Sequence, residues 1–119
     1  MSSWPSVLQS LPPPALLGND IAVAPIFAPL LQLGPAEGAA FFHAALARAL
    51  AEAAIAAASE TGLSQVALTG GCCANARLVE PLADHLRAAG LAPLLHRAAP
   101  PGDGGIALGQ AWAAGLMEL

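Results

Sequence analysis

The chain has 119 residues, room for one domain, and is apolar and alanine-rich: 56% of its residues are hydrophobic, 10% charged and 4% aromatic, with a formal net charge of -4. It has no lysine, and its four cations, Arg48, Arg77, Arg87 and Arg97, are scattered and outnumbered by eight acids; a nucleic-acid surface needs clustered cations to displace counterions, so DNA or RNA binding is a poor reading. Any anionic ligand must then be held by backbone N–H groups, helix ends or a metal.

A bilayer span needs roughly 20 unbroken apolar residues. The stretch 39–58 is interrupted by His43, Arg48 and Glu52, and 21–33 is short and holds Pro25 and Pro29. The N-terminus lacks the basic region and apolar core of a secretory signal. Cys72 and Cys73 are adjacent, which rarely suits disulfide geometry, and no other thiol exists to pair with them. The expected setting is a reducing cytoplasm, with no membrane contact.

In chain order, residues 1–20 read as a tail or linker, with Pro5, Pro12-Pro13-Pro14 and Gly18-Asn19-Asp20. Residues 21–27 read as a short strand confined to an edge by Pro25, and 28–33 as a helical turn before Gly34-Pro35. The division is thus 1–33, an irregular tail or adapted edge segment, and 34–119, the domain. Ala36 to Ser59 is a helix rich in alanine and leucine, stopped at Thr61-Gly62, with Phe42, Leu46, Leu50 and Ala53 or Ala54 along one face.

The rhythm then changes. Residues 65–69 form a short apolar strand that opens into Gly70-Gly71. A helix follows over 74–89, closed by Gly90; then a second strand over 91–96, a Pro- and Gly-rich loop over 97–104, and a last helix over 105–117 with Trp112 in its core face. The order helix-strand-helix-strand-helix gives an α/β class. The separation between strands allows a crossover helix and therefore parallel pairing. Two parallel strands cannot hide their own edges under three helices, so a fragment, a dimer or a partner chain is expected.

Two loops carry the chemistry. In TGGCCANARL, Thr69 to Leu78, paired glycines at a strand's carboxyl end let a ligand approach the backbone, and the following helix start offers free N–H groups. Open α/β sheets bind ligands at that place. Taken alone, a plain strand-to-helix turn is the better account. In PPGDGGIALGQ, Pro100 to Gln110, Asp103 is flanked by glycines. It could cap the next helix, the better account in isolation, or offer an oxygen to a hard metal ion beside phosphates. Both loops end neighbouring strands at one sheet edge, so they should face one cleft.

These motifs, with LLHRAAPPGDGGIALGQAWAA and FFHAALARALAEAA, resemble the carboxyl-terminal part of HypF-type carbamoyltransferases. More broadly they are similar to the Kae1/TsaD-like group of the actin and sugar-kinase superfamily. The resemblance spans about residues 36–117. It implies a partial actin-like ATPase (ribonuclease H-like) half-domain. It also implies a chemistry: carbamoyl phosphate and ATP yield a carbamoyl-adenylate, whose carbamoyl group passes to a cysteine of a HypE-like partner in [NiFe]-hydrogenase maturation. The candidate nucleotide-binding residues are Thr69, Gly70, Gly71, Asn75 and Gly104, with Asp103 as a metal ligand for ATP and a divalent cation. Where the family often has Val-Phe-Gln this chain has Cys72-Cys73-Ala74. The family's metal-binding histidines and first phosphate loop belong to sequence upstream of the matched motifs, so the chain is expected to bind nucleotide weakly and to be inactive alone. The missing upstream half, or self-association, would complete it.

Other residues have blander readings. His43 reads as a satisfied core or cap histidine, His85 as solvated beside Asp84 and Arg87, and His96 as a strand end facing the loop. Cys72 and Cys73 sit where a helix start would lower a thiol pKa, but small apolar filling is the preferred reading. Arg77 could reach a phosphate or cover the helix surface. The alternative function is a non-catalytic module that dimerises or binds a partner through its incomplete sheet; a weaker third is a small cysteine-dependent redox protein.

Overall fold

The structure, a computed structural model, describes residues 16–17 and 20–117. Of the tail expected over 1–20, residues 1–15, 18 and 19 lie outside the described residues. The described elements are β1 (Leu16–Leu17), β2 (Asp20–Ile21), α1 (Ala24–Leu30), α2 (Pro35–Thr61), β3 (Gln65–Leu68), a 3-10 turn (Gly71–Ala74), α3 (Ala76–Ala88), β4 (Ala92–Leu95), a second 3-10 turn (Asp103–Gly105) and α4 (Ile106–Met117).

The edge strand expected over 21–27 is corrected: only Asp20–Ile21 is extended, pairing antiparallel with β1, and Ala24–Leu30 is helical. Pro25 lies in the first helical turn, where its missing N–H has no intrahelical partner to lose. The deciding pattern is Ile26, Leu30 and Leu33, which recur at helical spacing. Ile26 is fully buried against Phe41 and Ala45 of α2, with Leu30, Leu33 and Phe42 packed around them.

The long helix starts at Pro35 after Gly34 and ends as predicted at Gly62, whose left-handed φ of 73° lets its N–H reach Ala58 O at 2.9 Å. It is gripped on two sides. Phe41 and Ala45 face α1, while Ala47 and Ala51 join Leu68, Leu78, Leu82, Ala83 and Leu86 in the main core. The stripe expected along one face, Phe42, Leu46, Leu50 and Ala53 or Ala54, is half-buried, and Phe42, Leu46, Leu50 and Ala54 pack at the rims of these clusters. Alanine at the contact lets neighbouring helices approach closely, so the small side chains are sealed while the leucines reach outward. By length and hydropathy alone α2 could cross a bilayer; its exposed side carries an Arg48–Glu52 ion pair at 2.9 Å.

β3 and β4 pair in parallel, with Gln65 opposite Ala92 and Leu68 opposite Leu95, and α3 makes the crossover. Leu78, Leu82 and Leu86 recur every four residues along α3 and form its buried face towards α2 and β3. Among the described residues the sheet has these two strands alone, so both outer edges are open. The helix α4 has no buried residue, and Trp112, expected in the core, is 72% exposed. Its apolar residues have no described element to pack against beyond their own loop.

Leu86 is fully buried at the centre of the main cluster. Leu86→Ala is expected to lower unfolding free energy by about 2–5 kcal/mol, measured by urea denaturation followed by circular dichroism.

Candidate functional site: two turns at one sheet edge

Parallel pairing puts the carboxyl ends of β3 and β4 side by side, and the turns that leave them are tied together. Gly70 N–H donates to Pro101 O at 2.9 Å. The Thr69 hydroxyl lies 3.5 Å from the same carbonyl and 2.9 Å from His96 Nε2. A Cβ added at Gly102 would come within 3.3 Å of Gly71 Cα, so the two backbones are in direct contact. The expected common cleft is therefore present.

The glycines serve different ends. Gly70 has φ 99°, a conformation that L side chains rarely adopt. It turns the chain sharply into the Gly71–Ala74 turn, and Cβ positions built on Gly70 and Gly71 meet nothing within 4 Å. The side of that backbone where a side chain would stand is open to an approaching group. Gly104 and Gly105 are small for local packing: added Cβ atoms would come 2.9 Å from Pro100 Cγ and 2.7 Å from Pro100 O respectively.

Asn75 begins α3. Its Oδ1 accepts from Arg77 N–H at 3.1 Å, satisfying one free donor of the helix start. Its Nδ2 lies 3.0 Å from His43 Nε2, and His43 Nδ1 lies 2.7 Å from Ala39 O. The sequence reading of His43 as a satisfied histidine identified the residue type but not its partner, 32 residues away. The available signal was a lone imidazole on an alanine-rich helix preceding a Gly-Gly-x-x-x-Asn turn.

Asp103 is exposed and opens the short turn before α4; no side-chain hydrogen bond caps that turn, so the expected capping role is not what the geometry shows. Among the described residues no three His, Cys, Asp or Glu side chains gather to hold a metal. Behind the two turns lies an open cavity of about 270 Å³, bordered by Cys73, Ala74, Glu80, His96 and Pro101. A second, of about 370 Å³, runs from His96 and Pro100 to Leu108 and Trp112 of α4. Arg77 is exposed at the helix start, and His85 is solvated as expected beside the Arg87–Asp84 pair at 3.1 Å.

The cysteines depart from a helix-start thiolate. They sit within the 3-10 turn before α3. Burial and the neighbouring Cys72 push the Cys73 thiol above its ordinary pKa, and its Sγ donates to Thr69 O at 3.2 Å, a bond only the protonated form makes.

Residues 10–110 match the family described as carbamoyltransferase, Kae1-like domain, second subdomain. The chain belongs to that carbamoyltransferase family. The match begins well before residue 36, where the motif resemblance starts. Carbamoyltransferase HypF2 of Cupriavidus necator is 43% identical over 98 residues, covering 82% of this chain and 12% of that protein. A carbamoyltransferase HypF homolog of the same organism is 53% identical over 79 residues, 66% of this chain and 20% of the relative. Carbamoyltransferase HypF of Rhizobium leguminosarum bv. viciae is 51% identical over 75 residues, 63% of this chain and 10% of the relative. The crystal structure of T. kodakarensis HypF superposes with a TM-score of 0.76 at 34% identity, over 88% of this chain and 14% of that one. The Kae1-like subdomain thus spans about an eighth of the length of HypF2, and the expected α/β, HypF-like fold with parallel strands is the observed one.

Within this Kae1-like subdomain the two thiols should differ in reactivity. A raised pKa means less thiolate at any given pH, so Cys73 should alkylate several-fold more slowly than exposed Cys72 at pH 7.5, with the gap narrowing as pH rises. Iodoacetamide labelling followed by peptide mass spectrometry reads this directly.

Proposed function

We propose that this subdomain forms one wall of a nucleotide site in a HypF-type carbamoyltransferase. Thr69, Gly70, Gly71, Asn75 and Gly104 would contact ATP and the carbamoyl-adenylate made from it. The observation that carries the reading is the Gly70 N–H to Pro101 O bond, because it holds the glycine turn and the Asp103 loop against each other at the carboxyl edge of a parallel sheet. The open backbone at Gly70 and Gly71 suits a group that must come close to the main chain. The relatives named carbamoyltransferase HypF, at up to 53% identity, support the reaction class.

The donor set limits what the chain does alone. A hard cation takes about six oxygens, and Asp103 supplies one carboxylate, so the described residues do not make a divalent-metal site by themselves. With four scattered arginines and no lysine, phosphate charge would fall on backbone N–H groups and on residues contributed by the rest of the domain. ATP in the completed site supplies the adenylyl group that activates the carbamoyl. This chain's part is to bind and orient it before transfer to a HypE-type cysteine in hydrogenase maturation, in the cytoplasm and away from membrane.

The second reading, self-association without nucleotide, is favoured by one observation: both sheet edges are open and α4 exposes Ile106, Leu108, Trp112 and Leu116. The two readings separate experimentally. MgATP at 1 mM should raise the melting temperature of this chain alone by less than about 2 °C, as expected for ligand near or below its Kd. Adding the upstream half of the domain should produce a clear shift, and Asp103→Ala should reduce it. Carbamoyl-phosphate-dependent ATP turnover by the chain alone would overturn the incompleteness of the site. A tight dimer in sedimentation that ignores ATP in every combination would favour the second reading.

A further inference from the structure

The hydrogen-bond chain that ends at the helix start leaves little freedom in its proton positions. Arg77 N–H can only donate, so the Asn75 atom facing it is Oδ1, and Nδ2 faces the imidazole. Nδ2 can only donate, so His43 Nε2 must be the unprotonated, accepting nitrogen. Ala39 O can only accept, so the ring proton is on Nδ1. Each step agrees with the others, and the ring is neutral in this arrangement. The result is a hydrogen-bonded link from α2, through a carboxamide, to the first turn of α3.

We propose that His43 is a positioning residue for the nucleotide turn: as the Nδ1–H tautomer it holds the Asn75 carboxamide in one orientation, so that the same side chain both caps α3 and presents its remaining hydrogen-bonding capacity to the ligand. This rests on the nucleotide reading of the Gly70–Asn75 turn. A primary carboxamide has two N–H donors and two acceptor lone pairs. One of each is used by His43 and Arg77, which leaves one donor and one acceptor for a nucleoside. Asn75 is exposed, so without the imidazole the Arg77 N–H bond is the one described hydrogen bond left to oppose a turn of the amide. A turned amide would set an N–H against the Arg77 N–H and lose the cap. The placement of His43 also explains its setting: it lies on a half-buried part of α2, with Phe42 edge-on at 6.1 Å, and its ring has both nitrogens engaged.

The test uses nuclear magnetic resonance on the full chain, which reads weak binding directly. Long-range proton–nitrogen spectra should show His43 as the Nδ1–H tautomer; an Nε2–H pattern overturns the proposal. ATP should move the Gly70, Gly71 and Asn75 resonances of the wild type. His43→Leu should shift the Asn75 side-chain amide and weaken ATP binding about fivefold, the value of one ordinary hydrogen bond. His43→Gln, whose Oε1 can accept in place of Nε2, should restore most of it. In an Asn75→Ala background His43→Leu should have no further effect, because His43 acts through that carboxamide. If His43→Leu fails to fold, the Gln variant and the tautomer decide the matter. Equal ATP affinity in wild type and a folded His43→Leu overturns the role of His43 alone. A wild type whose turn ignores ATP up to 20 mM, on the order of the weakest binding such a titration resolves, overturns the nucleotide reading and the role with it, whatever the tautomer.

Discussion

Two parallel strands oblige the chain to leave both of them at the same edge, and the Gly70 N–H to Pro101 O bond of 2.9 Å ties the two departing turns together. A glycine at φ 99° lets the chain turn sharply away from the strand just after that amide. Once that contact is made, the turn before α3 and the loop before α4 lie against each other. Gly102 then touches Gly71, and Thr69 sits between Pro101 and His96. A side chain at Gly70 would strain the turn, and one at Gly102 would crowd Gly71, so each loop constrains the other.

The same architecture explains why the chain looks unfinished. Its main core is built by α2, α3 and β3, and the buried residues α2 brings to it are alanines, which pack helices closely but bury little area per residue. The α4 helix takes no part in that core, and the sheet ends after two strands among the described residues. Apolar surface of this kind is normally covered, and the relatives extend several times beyond the matched region, this chain spanning 12% of HypF2. A sheet continued by other polypeptide and a helix covered by it would account for both features at once.

The polar groups around the turn are tied into the architecture. Asn75 is a helix cap and also a carboxamide with capacity to spare. Thr69 bridges the two loops, its hydroxyl lying between Pro101 O and His96 Nε2. Cys73 bonds back to Thr69 O through its thiol proton, and burial raises its pKa, which works against a thiolate there. A small redox protein would need a thiolate in its place.

Much of this was legible from residues alone. Alanine-rich periodicity and the Thr61-Gly62 stop marked α2, the short apolar runs marked β3 and β4, and the spacing between them required parallel pairing and hence one shared edge for Gly70 and Asp103. These features are local or follow from chain connectivity. What failed depended on distant neighbours. The 21–27 segment became a helix because Ile26, Leu30 and Leu33 found Phe41 and Ala45 to pack against. Trp112 proved exposed because no described element covers α4. His43 found Asn75 across 32 residues. Sequence by itself determined which segments curl, which extend and which turns must coincide, since backbone sterics and short-range periodicity act within a few residues. Only the tertiary structure decided which faces are sealed and which nitrogen meets which amide, because those depend on contacts between segments that the chain order does not place side by side.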